Sequence, residues 1–135
     1  MDANELGRQV LQKRKEKGLS QTELGKIVGI SRNYVSQIER GEAHGISMRI
    51  LNQLGVALGA SIAELSGEAS QVTIPTALRE FGIDNNLSYE VIDKLARIPK
   101  RGKEPKSVRE WQELYTAIVP FIEGADKNSE ANHEL

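Results

Sequence analysis

The stretch that most constrains the fold is LSQTELGKIVGISRNYVSQIERG, residues 19–41. Ser20 and Glu23 have the S-x-x-E spacing of a capping box, in which each side chain accepts a hydrogen bond from the other residue's backbone N–H. A helix is therefore predicted to start here and to stop at Gly29, because glycine takes up the left-handed backbone of a helix C-terminus without steric cost. Ser31 is placed to cap a second helix. The pattern predicts two short helices joined by a tight turn.

Both predicted helices are amphipathic. Apolar residues recur at helical spacing on one face, and they are the expected core: Leu24, Ile27, Val28, Tyr34, Val35 and Ile38. The opposite face of the second helix carries Arg32, Asn33, Ser36 and Gln37. Side chains of these types can form paired hydrogen bonds with base edges in the DNA major groove, whereas the plainer interpretation is a solvated face on a helical bundle. Gln21 lies where a phosphate would meet exposed backbone N–H groups.

The same stretch resembles the helix-turn-helix of the XRE group, which includes Cro and the phage repressors. The resemblance rests on Leu19-Ser20-Gln21, Leu24-Gly25, Val28-Gly29-Ile30-Ser31, Val35-Ser36 and Ile38-Glu39-Arg40-Gly41. It implies an all-α, five-helix, lambda-repressor-like DNA-binding domain over residues 1–66, with the second helix of the pair in the major groove. It also implies a structural ion pair between Arg14 and Glu39. The expected DNA-binding residues are Gln21, Arg32, Asn33, Tyr34, Ser36, Gln37, Arg40 and His44.

The other helices of this domain are predicted from caps and periodicity. The first is expected to start near Ala3 and end at Lys17, the fourth to follow Ser47, and a short fifth to follow Ser61. Their apolar positions complete the expected core: Leu6, Val10, Leu51, Leu54, Leu58, Ile62 and Leu65. His44 stands in the glycine-bounded loop before the fourth helix, where a phosphate contact is one interpretation and simple solvation the other.

Composition narrows the possible functions. The chain has no cysteine, which excludes disulfides and thiolate metal sites, and its two histidines are far apart in sequence. No apolar run of membrane-spanning length and no signal peptide is recognised, so a cytoplasmic protein is expected. Residues 1–66 carry a net charge of +2 and residues 67–135 a net charge of −3. No catalytic constellation, cofactor motif or metal-ligand cluster is present, so no enzyme activity is expected.

The second half begins after a small, polar linker at residues 67–73. Three helices are predicted over residues 74–123: one from Pro75 that Gly82 ends, one from Ser88, and a long one that starts at the Ser107–Glu110 capping box. Pro120 should kink or shorten the last helix. Residues 124–135 are predicted to form a disordered tail.

Three short helices bury too little apolar surface to be stable as an isolated unit, so this unit is expected to dimerise. The predicted interface lies on the long helix and consists of Trp111, Leu114, Tyr115, Ile118 and Ile122. The alternative is that these residues form internal core or pack on the N-terminal domain. A homodimer would place two recognition helices on a palindromic site in double-stranded DNA.

The second half is similar to the C-terminal region of DdrO-type repressors, which control bacterial DNA-damage responses. The similarity rests on Leu95-Ala96, Arg101-Gly102, Pro105, Trp111, Leu114-Tyr115 and Ala117-Ile118. It implies dimerisation and inactivation by a zinc metallopeptidase of the ImmA/IrrE type, with a cut near Lys100 and Arg101. This chain has Pro99-Lys100 where a leucine is expected near the cut. A solvated turn or an auxiliary phosphate contact is the alternative for this basic loop.

These inferences predict a cytoplasmic, homodimeric repressor without a cofactor that binds a palindromic operator. The competing hypothesis is a helix-turn-helix antitoxin or regulatory adaptor that binds a protein partner through its C-terminal unit.

Overall fold

The computed structural model describes residues 1–67, 74–98 and 104–122. In these ranges the regular structure is helical, as predicted, apart from one isolated antiparallel β-bridge. The α-helices are α1 (Ala3–Glu16), α2 (Gln21–Val28), α3 (Arg32–Glu39), α4 (Met48–Leu58), α5 (Ile62–Ser66), α6 (Thr76–Asp84), α7 (Tyr89–Arg97) and α8 (Val108–Ile118). A 3₁₀ turn at Val119–Ile122 follows α8. The predicted linker beyond residue 67 and the predicted tail lie outside the described residues.

The chain divides into two compact units. The first contains Met1–His44 and residues 50–67. The second contains Gly45–Arg49 together with residues 74–98 and 104–122. The sequence-based domain limits assign Gly45–Arg49 to the N-terminal domain, whereas its contacts group it with the C-terminal helices.

The first unit is built around close packing of α1 on α3 and α5, and of α2 on α3. Gly7 is the point of closest approach, because a Cβ atom added there would lie 2.4 Å from the carbonyl oxygen of Ile38. Most of the predicted core is buried, including Leu6, Val10 and Leu24. The prediction for Ile27 is wrong, since its side chain is 55% exposed. Position 27 flanks the buried stripe of an eight-residue helix, and only the centre of that stripe meets α3.

The second unit packs α6 against both α7 and α8. Its largest fully buried side chains are Trp111 and Phe81, and the Phe81 ring meets Tyr115 edge to face with centroids 5.5 Å apart. The predicted helix end at Gly82 is wrong, because α6 continues to Asp84. Gly82 instead makes room for a neighbour: an added Cβ would lie 2.7 Å from Ile92 Cδ1.

The entry to α8 confirms the predicted cap in a modified form. The Ser107 hydroxyl accepts a hydrogen bond from the Glu110 N–H at 3.1 Å. The Glu110 carboxylate accepts from the N–H of Lys106 at 2.7 Å instead of returning to Ser107. The helix ends before Pro120, as the missing N–H of proline requires.

Candidate DNA-binding surface

The α2–α3 pair has the helix cap and the glycine turn that its sequence predicts. At the start of α2, the Ser20 hydroxyl accepts from the Glu23 N–H at 3.0 Å, and the Glu23 carboxylate accepts from the Ser20 N–H at 2.8 Å. Gly29 ends the helix with a left-handed φ of 86°. Gly25 lets the turn close, because an added Cβ would lie 2.7 Å from the carbonyl oxygen of Ile30. The two helices are therefore held at a defined angle by backbone packing.

One face of α3 is buried and the other is open. Val35 and Ile38 lie in the core of the first unit. Arg32 and Asn33 are exposed, while Ser36 and Gln37 are half-buried. The first turn of α3 thus presents a guanidinium and an amide to solvent, two groups whose geometry matches guanine and adenine edges.

Tyr34 departs from the expected DNA-contacting set. Only 5% of its surface is exposed, and it belongs to the buried face of α3. Tyr34 lies at the boundary between the buried and the open face of α3, and its ring is buried in the core.

The outer face of α3 is oriented by a buried polar network. Arg14 on α1 approaches Glu39 with its Nε 2.5 Å from Oε2 and its Nη2 3.1 Å from Oε1. Arg14 Nη1 also donates to the carbonyl oxygen of Leu19 at 2.8 Å. The two side chains are 11% and 5% exposed. The network therefore ties the end of α3 to α1 and to the loop that leads into α2.

Gln21 takes part in the same network. Its Nε2 donates to Glu39 Oε1 at 2.9 Å, so the carboxylate has three side-chain donors from two residues. The side chain is half-buried at the start of α2. The amide nitrogen has two N–H groups, and the bond to Glu39 uses one of them, so the other N–H can donate to a further acceptor such as a phosphate oxygen. Backbone N–H groups of the first turn of α2 are donors of the same kind for a phosphate at this position.

Arg40 lies just beyond α3 and is exposed. Its guanidinium donates to the Ser36 hydroxyl and, at 3.1 Å, to Glu42 Oε1. The hydrogen bond from Arg40 holds the pKa of the Glu42 carboxyl below its usual range and raises that of Arg40. Arg40 stays charged and lies at the C-terminal end of the polar face of α3. His44 is also exposed, in the loop before α4.

The predicted dimer residues divide into two groups. Trp111 is completely buried within the second unit, which corrects its placement at an interface: the ring fills the space between helices of its own chain. Leu114, Tyr115 and Ile118 are half-buried, and Phe121 in the following 3₁₀ turn is 83% exposed. The side chain of Ile122 and the candidate cleavage residues Lys100 and Arg101 lie outside what the structure describes.

Among the described residues, no three His, Cys, Asp or Glu side chains are grouped so that they could hold a metal ion. In the same part of the chain, none of the helices has both the length and the apolar character needed to cross a membrane.

Comparison with known proteins decides the family. Residues 10–65 match a model of the helix-turn-helix, and residues 69–119 match the model described as transcriptional repressor DdrO, C-terminal dimerisation domain. The chain is a helix-turn-helix transcriptional regulator with a DdrO-type C-terminal domain. Both resemblances drawn from the sequence are thereby confirmed.

Two curated proteins and one solved structure are similar to parts of this chain. The HTH-type transcriptional regulator DdrOP3 of Deinococcus deserti is 28% identical over 120 residues, which cover 82% of this chain and 92% of that protein. The ImmF control region 10 kDa protein of Bacillus phage phi105 is 51% identical over 41 residues, 30% of this chain and 46% of the phage protein. Among solved structures, the clp gene regulator ClgR from Corynebacterium glutamicum is 33% identical, with a TM-score of 0.47 over 51% of this chain and 72% of ClgR.

Proposed function

We propose that this regulator is a sequence-specific repressor that binds a palindromic operator as a homodimer. The observation that carries the proposal is the open polar face of α3 on a helix whose other face is fully packed. Arg32 and Asn33 are exposed in the first turn, and the recognition helices of this class contact bases with their N-terminal residues. Gln37 lies one turn later on the same face.

The network of Arg14, Glu39 and Gln21 supports the proposal energetically. A helix that contacts bases must hold its side chains within about 0.5 Å of the required geometry. The C-terminal end of α3 is anchored by two charge-assisted hydrogen bonds to Arg14 on α1 and by a third to Gln21 on α2, which restricts its rotation. Arg32 and Asn33 then project from a rigid support.

The proposed dimer contact is the outer face of α8 and the 3₁₀ turn after it. Leu114 and Ile118 retain partial exposure, and Phe121 is almost fully exposed, although apolar side chains of this size usually avoid water. A second copy would cover this face. Joining two α3 helices in one dimer converts the second half-site contact into an intramolecular event and raises the affinity for a palindrome.

Operator selection from random-sequence DNA, followed by binding of variants, tests the proposal. We expect Arg32→Ala to lower affinity for the selected site by about 5–150-fold, the equivalent of roughly 1–3 kcal/mol, and to relax base preference at one position of each half-site. Arg109→Ala is the matched control: Arg109 is also an exposed arginine in the first turn of a helix, and its loss removes the same charge.

Several results would count against this function. Selection that enriches no sequence, or enriches sites without two-fold symmetry, would contradict a dimer on a palindrome. Equal losses of operator affinity for Arg32→Ala and Arg109→Ala would mean that Arg32 contributes only its positive charge and does not read a base.

We also propose that a zinc metallopeptidase of the ImmA/IrrE type inactivates the repressor by a cut between α7 and α8, within residues 97–107. The DdrO-type domain supports this, because a cut there would leave α8 attached to α6 by packing alone. Loss of α8 would remove the proposed dimer face and with it bivalent DNA binding, as expected for a response to DNA damage. Fragment masses after incubation with such a peptidase test the idea, and an uncut chain that still binds DNA would contradict it.

A further inference from the structure

The second unit contains a short antiparallel pairing that no sequence pattern suggested. Ser47 pairs with Ser88 as an isolated bridge. Two backbone hydrogen bonds flank it: the Met48 N–H donates to the carbonyl oxygen of Leu87 at 2.8 Å, and the Tyr89 N–H donates to that of Ile46 at 2.8 Å. We call residues 46–48 and 87–89, with these two bonds, the serine bridge.

Both N–H donors of the serine bridge belong to the first residue of a helix. Met48 is the first residue of α4 and Tyr89 the first residue of α7. The N–H groups in the first turn of a helix have no partner within that helix. Each helix therefore gives its first N–H to the segment that precedes the other helix. Two helix starts satisfy each other's unpaired donors.

All six residues of the serine bridge are buried, none being more than 5% exposed. Met48 extends into the unit, since its Cγ would be 3.3 Å from a Cβ added at Gly82. An unmade backbone hydrogen bond in such a place costs the full desolvation of the orphaned group. The serine bridge is thus a fixed part of the second unit.

The serine bridge is adjacent in the chain to the loop that follows α3. Ile46, whose carbonyl oxygen accepts from Tyr89, is separated only by Gly45 from His44, an exposed residue of the loop that follows the recognition helix. A loop fixed at its far end has fewer conformations to lose when it contacts a phosphate.

We propose that the C-terminal unit contributes to DNA binding in a second way besides dimerisation: through the serine bridge it fixes the end of the loop at residues 42–45. The proposal rests on the DNA-binding function proposed above. It assigns residues 87–89 as positioning residues that act through Ile46 and do not touch DNA.

A proline substitution removes one bridge donor while keeping a backbone conformation that suits the site. Tyr89→Pro deletes the N–H that donates to Ile46, at a helix position where proline is favoured. The preceding residue, Ser88, has φ −73° and ψ 155°, which is the backbone that a residue before proline prefers. Tyr89→Ala is the matched control, because it also loses the buried ring but keeps the N–H.

Three measurements on the full chain compare the two variants. Amide hydrogen exchange at Met48 should be about tenfold faster in Tyr89→Pro than in Tyr89→Ala, the size expected for an unmade buried hydrogen bond. Operator affinity should be about tenfold lower in Tyr89→Pro. Sedimentation should give the same dimerisation constant for both, which separates this effect from dimer loss.

Equal exchange and equal affinity in the two variants would overturn the proposal, as would faster exchange without a loss of affinity. If Tyr89→Pro loses its helical circular dichroism, Met48→Pro and Met48→Ala repeat the comparison from the other side, with the Tyr89 amide as reporter. A wild-type chain that binds no DNA would refute the proposed function, whereas the exchange result, measured without DNA, would still show whether the bridge holds residues 46–48.

Discussion

The carboxylate of Glu39 offers the sharpest stability test, because three donors converge on it in a nearly water-free site. Glu39→Ala would remove the partner of Arg14 while leaving the guanidinium in place. Arg14 would keep one hydrogen bond, to the Leu19 carbonyl oxygen. Its side chain is only 11% exposed, so water could not easily replace the lost carboxylate.

The expected cost follows from that burial. Removing one partner of a buried ion pair leaves an uncompensated charge and typically destabilises a protein by about 3–5 kcal/mol. The double replacement Arg14→Met with Glu39→Leu removes both charges and keeps apolar volume, so we expect it to cost at least about 2 kcal/mol less than Glu39→Ala. Glu113→Ala is the surface control, since its pair with Arg109 is 64–87% exposed and should contribute less than about 1 kcal/mol.

Chemical denaturation at one fixed protein concentration measures these differences, and the concentration must be held constant because dimerisation contributes to stability. Glu39→Ala within about 1 kcal/mol of the wild type would refute the reasoning. So would a double variant as unstable as the single one, since the cost would then arise from lost packing and not from the unpaired charge.

Four further outcomes are expected. Gly7→Ala should destabilise the first unit by more than about 2 kcal/mol in denaturation, because the added methyl would meet backbone oxygen, whereas Gly18→Ala, with open space around it, should cost only about 1 kcal/mol. Phe121→Ala should weaken dimerisation about tenfold by sedimentation, while Gln112→Ala on the same segment should not. Trp111→Ala should cost about 3–5 kcal/mol of stability in denaturation, as expected for a core side chain. Because the hydrogen bond from the Ser61 N–H lowers the pKa of Glu64, the stability from this cap should be present above the carboxyl's ordinary pKa and disappear as pH falls through the lowered value, and Glu64→Gln should flatten this part of the pH profile.

Local rules predicted the helix boundaries well because each boundary is determined by neighbouring residues. Ser20, Ser31 and Ser61 cap helices as expected, and their partners lie three residues away. The same holds for the left-handed glycine at position 29. Such features need no knowledge of the rest of the chain.

Burial at the margins of short helices was predicted less well. The sequence assigns both Ile27 and Tyr34 to the apolar face, and Tyr34 is buried as expected, whereas Ile27 is exposed. Helical periodicity assigns a residue to a face, but the extent of the partner helix decides how wide the buried stripe becomes. Trp111 shows the same limit, because its size suggested an interface while tertiary packing placed it inside.

The serine bridge could not be predicted from one sequence. Its two segments, I-S-M and L-S-Y, share an apolar-Ser-apolar pattern before a helix, and the serines were recognised as caps. Nothing in either segment reveals that it pairs with the other, because the contact joins positions about forty residues apart.

The wide sequence separation of this pairing has a consequence for synthesis. A nascent chain that has emerged only as far as α5 contains all of the helix-turn-helix pair, yet Ile46 and Met48 lack their backbone hydrogen-bond partners at Tyr89 and Leu87. Contacts between distant positions form late, since the intervening chain must first be made and then closed into a loop. The start of α4 would therefore mature only after residue 89 leaves the ribosome, which makes the segment next to the recognition helix one of the last parts of this protein to become native.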